Sequence, residues 1–446
     1  MSNPRKLAIQ SIQSLAFERK PLTAKLKVIT FTVLGLVFTS TLSKAQQTNS
    51  PYSFLGVGEP LTEATSINSM MGGLGVASAT GLYVNTLNPA LLARNRYTMF
   101  EMGVSTEKKN MQNFTKRSDT YRGTLGPISL ALPVSSRWTM LLGLRPATNV
   151  DYQTFTVEKL DLVGADSTTK TYNGSGGLNK AIFSNGFRIK KNVYVGLETA
   201  ITFGVINRDI TTQNWSDGQR YQIKLADRSN YSGVLFKLGG AWRPQISKKY
   251  FLNIGGTVDF AQSLNVNTLK QFRTLDASGL TAINADTLSN VKGASITLPA
   301  TYRFGVSLEK PGQLMVSLDY STTKWTNFKN VLGDNDNLKN AYTVALGAEY
   351  IPDFEAISGY FNHVVYRAGV SYTESPYTLT GNTAAKDYNF SVGASLPLRT
   401  ISYLNIAFVH GKRGVLGTNG LEEQYNKIVV GFSLGDFSWF RKPKID

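Results

Sequence analysis

The chain has 446 residues, no cysteine, and 47 Lys/Arg against 30 Asp/Glu, for a formal charge of +17. Without cysteine there can be no disulfide staples, thiolate metal sites or cysteine nucleophile. Aromatic residues make up 11%, led by 21 Tyr and 23 Phe, and there are 40 Gly, a mixture that favours many short strands over helices.

Residues 1–45 have the form of an export signal. Arg5, Lys6, Arg19, Lys20, Lys25 and Lys27 precede an apolar run from Val28 to Leu42, and Ser43-Lys44-Ala45 gives a small-x-small cleavage site, so that Gln46 starts the mature chain. A retained signal-anchor helix is the other reading. Cleavage is preferred because the run is short and ends in that triplet. The segment holds seven Lys/Arg and one Glu, so its removal lowers the positive excess. The remaining basic residues are scattered through turns and loops instead of stacked on one face. That distribution suits anionic lipid headgroups or lipopolysaccharide better than nucleic acid.

Residues 46–96 are rich in Gly, Ser and Asn, with Gly72-Gly73-Leu74-Gly75 and then Asn88-Pro89-Ala90-Leu91-Leu92. The glycines do not make a nucleotide loop, since no strand precedes them and no Lys follows at the required spacing. A compact hatch folded inside a barrel lumen needs the tight turns and close backbone approach that Gly72, Gly73 and Gly75 supply. A periplasmic extension is the alternative.

From Tyr97 onward, segments of roughly 10 to 16 residues alternate apolar with small or polar side chains. They predict strands over 97–107, 120–133, 136–150, 180–190, 192–208, 229–244, 248–264, 294–310, 312–326, 338–352, 361–374, 385–398, 401–414 and 424–438. In the fifth, Val193, Val195, Leu197, Ile201 and Phe203 oppose Tyr194, Gly196, Glu198, Ala200 and Thr202. No stretch after residue 45 approaches the roughly 20 apolar residues of a membrane helix. Connections after the second, fourth, sixth, eighth and twelfth strands are short, the tenth has a somewhat longer turn (Asp353–Tyr360), and those after odd-numbered strands run longer, as at Asp151–Asn179, Asn207–Arg228 and Asn265–Gly293. The expected fold is therefore all-β: a transmembrane antiparallel barrel of about 14 strands over 97–440 with an N-terminal hatch in its lumen, followed by a basic periplasmic tail, 441–446. Both mature termini fall in the periplasm and the barrel in the outer membrane of a Gram-negative bacterium. Tyr97, Trp138, Tyr250, Trp325, Tyr350, Trp439 and Phe440 near strand ends are candidates for an aromatic girdle.

Glu198, Lys237, Asp259, Arg303, Asp319, Glu349 and Arg367 lie on the parity opposite to the apolar residues of their own strands. In lipid each would cost several kcal/mol near the midplane, so they are expected to face the lumen. They could line a selective passage, or pair with one another and anchor the plug; pairing is favoured, since ionisable groups in membrane proteins usually pair up.

Ser50-Pro51-Tyr52, Met71-Gly72-Gly73 and Asn88-Pro89-Ala90, placed before the first strand, make the chain resemble the FadL-type outer-membrane transporters of long-chain fatty acids and aromatic hydrocarbons. The resemblance implies a 14-stranded barrel with Asn88, Pro89 and Ala90 in a hatch beneath a ligand pocket. It also implies sideways release of hydrophobic small molecules where the third strand is kinked, which draws attention to Pro146, a residue that breaks ladder pairing and marks either a lateral gate or a strand that ends early at the external rim. The implied function is passive uptake without cofactor. The other function class is a barrel that docks a type IX secretion or other envelope complex. The two histidines, His363 and His410, fall on different predicted strands and no HExxH spacing occurs, so neither an enzyme nor a metal site is expected.

Overall fold

The computed structural model describes residues 50–78, 81, 83–159, 167–216, 219–276, 282–379, 383–399 and 401–436. The export signal, the basic tail, and Trp439 and Phe440 lie outside the described residues. Strand β1 (Glu59–Pro60) belongs to the segment that precedes the wall. The wall comprises β2 (Thr98–Gln112), β3 (Arg117–Leu125), β4 (Ile128–Ser135), β5 (Trp138–Pro146), β6 (Thr148–Lys159), β7 (Ser167–Lys190), β8 (Val193–Ser216), β9 (Gln219–Trp242) and β10 (Phe251–Asp259). It continues with β11 (Gln262–Leu275), β12 (Ala282–Leu298), β13 (Thr301–Lys310), β14 (Leu314–Thr323), β15 (Ala341–Tyr350), β16 (Val365–Glu374), β17 (Lys386–Arg399), β18 (Ser402–Arg413) and β19 (Glu422–Asp436).

Four pairs of these strands are single staves with a short break. β3 and β4 both pair with β2, β5 and β6 with β7, and β10 and β11 with β9, while β13 and β12 pair with β10 and β11. Counted this way the wall has fourteen antiparallel staves. It closes where β19 pairs with β2, from Glu422↔Gln112 to Asp436↔Thr98. Every predicted strand corresponds to one stave.

The period-two pattern divides outside from inside as expected. On β14, Leu314, Val316 and Leu318 are exposed while Met315, Ser317 and Asp319 are buried. On β8, Leu197, Ile201 and Phe203 face out while Glu198, Ala200 and Thr202 face in. A belt of exposed Leu, Val, Ile and Phe on a wall that closes on itself is the surface that hydrocarbon solvates and water does not.

The expected long loops are corrected. Asp151–Asn179, Asn207–Arg228 and Asn265–Gly293 are mostly strand: β7, β8 and β9 have 24 residues each, and β8 pairs with β9 up to Ser216↔Gln219. At about 3.3 Å per residue such a strand runs roughly 80 Å. A tilted strand crosses the hydrocarbon in about 9 to 11 residues, so more than half of it stands clear of the membrane. There the outer face meets water instead of hydrocarbon, and the apolar alternation that marks a strand fades although Thr, Tyr, Ile and Val keep the backbone extended.

The aromatic girdle is also partly corrected. Tyr250 and Tyr350 are exposed, and Trp138 stacks on Phe187 with ring centroids 5.9 Å apart. Trp325 instead sits in a 3-10 turn, Trp325–Asn327, and packs with buried Phe328 against the interior cluster. Tyr97 packs against the cluster of Val84, Leu92 and Met99.

Candidate functional site

The bore is occupied by the chain that precedes the wall, and short polar side chains shape that segment. Asn68 accepts from the Thr65 N–H through Oδ1 (3.2 Å) and donates from Nδ2 to the Leu74 carbonyl (2.8 Å). The chain reverses between them at Gly72 (φ +67°) and Gly73 (φ +83°), conformations that L side chains resist. Asn85 Nδ2 donates to the Gly75 and Ser78 carbonyls. Asn88 opens a 3-10 turn, Pro89–Arg94: its Oδ1 accepts from Ala90 N (3.1 Å), and its Nδ2 donates to Val76 O (2.8 Å) and across to Gly240 O of the wall (3.1 Å). Asn88, Pro89 and Ala90, the predicted hatch motif, are all buried.

The wall is glycine-rich where this segment touches it. A Cβ on Gly239 would lie 2.3 Å from Asn88 Oδ1, and one on Gly369 would lie 2.4 Å from the Met71 carbonyl carbon. Gly186 and Gly196 face Pro89, Gly255 faces Val76, Gly393 faces Met70 and Gly431 faces Ser66. Contacts on strands all round the barrel place the segment inside it.

All seven predicted lumen charges point inward. Glu198, Lys237, Asp259 and Arg303 belong to one network whose centre is Glu63 of the inner segment. The Glu63 carboxylate meets Lys237 Nζ at 2.6 Å, Arg145 at 3.0 Å, Lys180 at 3.5 Å and Arg303 at 3.7 Å. Glu198 pairs with Arg145 (2.8 Å) and Lys237 (3.6 Å), and Asp259 with Lys237 (3.5 Å) and Arg303. Burial pushes the Glu63 carboxyl up, but the four cations outweigh it and hold the group well below the usual carboxylate range.

Asp319 is separate from that network: its Oδ2 accepts the backbone N–H groups of Gly75 (2.7 Å) and Val76 (2.8 Å). Glu349 and Arg367 form a third group, paired at 2.7 Å on neighbouring staves with the guanidinium 5.7 Å from the Tyr83 ring.

Further contacts fall on residues that the parity argument did not single out. Arg413 holds both Glu423 and Glu59, and Ser50 Oγ donates to Glu423 (2.7 Å). Burial raises the Glu59 carboxyl, yet Arg413 and Lys109 bring it down to about 2. Arg94 lies 3.8 Å from Glu309. A signal was available in the sequence. Residues 46–96 contain only Glu59, Glu63, Arg94 and Arg96 as charged residues, and the first three each meet an opposite charge on the wall.

Pro146 marks a break in the wall. β5 ends there, and Ala147 keeps one bond to its neighbour, donating to Leu178 O (2.8 Å). On the other side Ala147 O accepts from Leu61 N (2.9 Å), and Asn149 and Thr148 pair with Glu59 and Pro60 of β1. The second stave breaks at Gly126-Pro127. β4 pairs with β5 only from Ile128↔Leu144 to Ser135↔Trp138, β3 pairs with β2, and among the described residues no ladder joins β3 to β6. Inside, at this level, lies the largest buried apolar cluster, including Tyr52, Val150, Tyr152, Leu178, Ile206 and Tyr377, with Ala147 packed against it. A separate groove of about 500 Å³ lies on the outer face among Val344, Leu346, Val370, Tyr388, Phe390 and His410. His363 sits in the 3-10 turn Tyr360–His363 before β16, and His410 lies in β18.

Fold and site together define a closed 14-stave membrane-type barrel whose bore holds its own N-terminal segment. The sequence matches the BamG family over residues 26–446, and the chain belongs to that family. No curated protein matches it. Among solved structures it is similar to the CymD monoaromatic hydrocarbon channel (15% identity, TM-score 0.54, covering 85% of this chain and 99% of that one). It is also similar to the Pseudomonas putida toluene transporter TodX (13%, TM-score 0.52, 85% and 99%) and to a Pseudomonas aeruginosa FadL homologue (12%, TM-score 0.51, 83% and 97%). At these identities the likeness is one of fold. The FadL-type resemblance holds at that level, while the family that the sequence matches is BamG.

Proposed function

We propose that the protein is an outer-membrane barrel of a Gram-negative bacterium, with both termini periplasmic, that takes up hydrophobic small molecules passively and releases them sideways. One observation carries this reading: the wall is unladdered between β3 and β6 beside the largest buried apolar cluster. A long-chain fatty acid or aromatic hydrocarbon would be captured among the projecting strands and held by burial against that cluster, at about 25 cal/mol per Å². It would leave past Pro146 and Ala147 into the bilayer. Residues 50–96 act as a fixed hatch, and sideways release is favoured over passage through the bore because several buried ion pairs would have to part for the hatch to move. The hydrocarbon channels of the same fold are in keeping with this cargo.

The test uses the barrel in liposomes, with a long-chain fatty acid and toluene as separate probes. Transfer into the bilayer should exceed that of protein-free vesicles with little gain in ion conductance. Conductance without transfer, or no transfer of either probe, would refute the reading. The second reading, a structural component that docks a secretion or other envelope complex, is favoured by the ion-paired bore and by a family description different from the FadL name.

A further inference from the structure

The stave that carries the break has a second property. One edge of β6 is fully used, pairing with β7 from Val150↔Gly176 to Lys159↔Ser167 without a register shift. The other edge is used only at its base, where β1 pairs with Thr148 and Asn149 and Ser50 N donates to Asp151 O (3.0 Å). Along Gln153–Glu158 no described strand pairs with that edge, and β3, which should stand next in the wall, pairs with β2.

This stretch lies in water. The stave starts at Trp138, and the hydrocarbon takes about 9 to 11 residues of a tilted strand, so Gln153 and its successors project beyond it. Exposed edges normally carry devices against pairing: bulges, Pro, or charged residues, Lys above all. β12 has them. Its pairing with β11 shifts register three times, and Lys292 and Gly293 (φ +70°) interrupt it. The β6 edge has none of these through Gln153-Thr154-Phe155-Thr156-Val157, which is β-branched and aromatic, with Phe155 59% and Val157 57% exposed.

The base of the same edge already accepts added strand from the chain's own inner segment. We propose that the Gln153–Glu158 edge receives an extended segment of another polypeptide by backbone pairing, with apolar side chains at every second position covering Phe155 and Val157. An unpaired row of N–H and C=O groups in β geometry selects an extended backbone, and the two apolar side chains on one face set the period of the partner. The inference is independent of what the bore transports.

The test uses the full mature chain in lipid nanodiscs and a fluorescein-labelled peptide alternating Thr with Val and Tyr. A second peptide of the same sequence is N-methylated at alternate residues, which removes donors from one edge and leaves composition otherwise alike. Amides of Gln153–Glu158 facing away from β7 should exchange rapidly in the protein alone and slow by about tenfold or more with the first peptide. Peptide affinity should fall by at least about tenfold on N-methylation, and by a similar factor in the Phe155→Lys, Val157→Lys double variant. Slow exchange before any peptide is added would overturn the proposal, as would equal binding of the two peptides or no binding of either.

Discussion

Replacing Glu63 by Gln removes one negative charge at nearly constant volume from the centre of the largest ion network. Four cations, Arg145, Lys180, Lys237 and Arg303, then face only Glu198 and Asp259. Breaking a buried pair by removing one partner costs about 3–5 kcal/mol. The Glu63 side chain is 14% exposed and Gln still accepts a hydrogen bond, so the lower end, about 3 kcal/mol, is expected. At a factor of ten per 1.4 kcal/mol, that raises the displaced population of the inner segment roughly a hundredfold. Two assays read it: current fluctuations across a planar bilayer, and protease cleavage between Leu61 and Thr65 in detergent. Glu63→Gln should open more often and cut faster. The double variant with Lys237→Gln should recover part of the loss, because one unpaired cation goes with the acid. Wild-type fluctuation and cleavage in Glu63→Gln would refute the idea that this network holds the segment.

Asp319→Asn should weaken the grip on Gly75 and Val76 by about 1.5–3 kcal/mol, seen as faster exchange of those two amides and little change in the wall. Gly239→Ala should displace the Asn88-Pro89 turn and lower the thermal midpoint, whereas Gly240→Ala, whose Cβ meets nothing within 4 Å, should behave as wild type. The pH dependence follows from Glu59. Its folded carboxyl is held at about 2 against an ordinary value near 4.5, so its contribution is complete above 4.5 and fades as pH falls towards 2. Protease protection of residues 50–60 should drop through that window, and a Glu59→Gln variant should show a flatter profile.

Much of the wall was legible because hydrocarbon enforces alternation. A residue such as Leu197 or Val316 must be apolar to face lipid, and Glu198 or Ser317 beside it need not be, so number and parity of the staves can be read from one chain. Where the outer face meets water instead of lipid, as in the outer halves of β8 and β9, that constraint lapses and strands pass for loops. The charges on the wall were found by parity. Their partner Glu63 was not, since the inner segment has no repeating period and its contacts are set by long-range folding. Arg145, next to Pro146, is likewise absent from the set that parity singles out. Aromatic position alone also misled at Trp325, where a turn brings the ring into the interior cluster instead of the headgroups.

The central claim, sideways release at the wall break, is tested most directly at Ala147. The natural chain contains no cysteine, so an Ala147→Cys variant offers a single thiol at the position packed against the interior cluster. Loading it with a bulky maleimide should reduce fatty-acid transfer into liposomes to the protein-free rate, with the unlabelled variant still active. Transfer that continues unchanged after complete labelling would contradict the account.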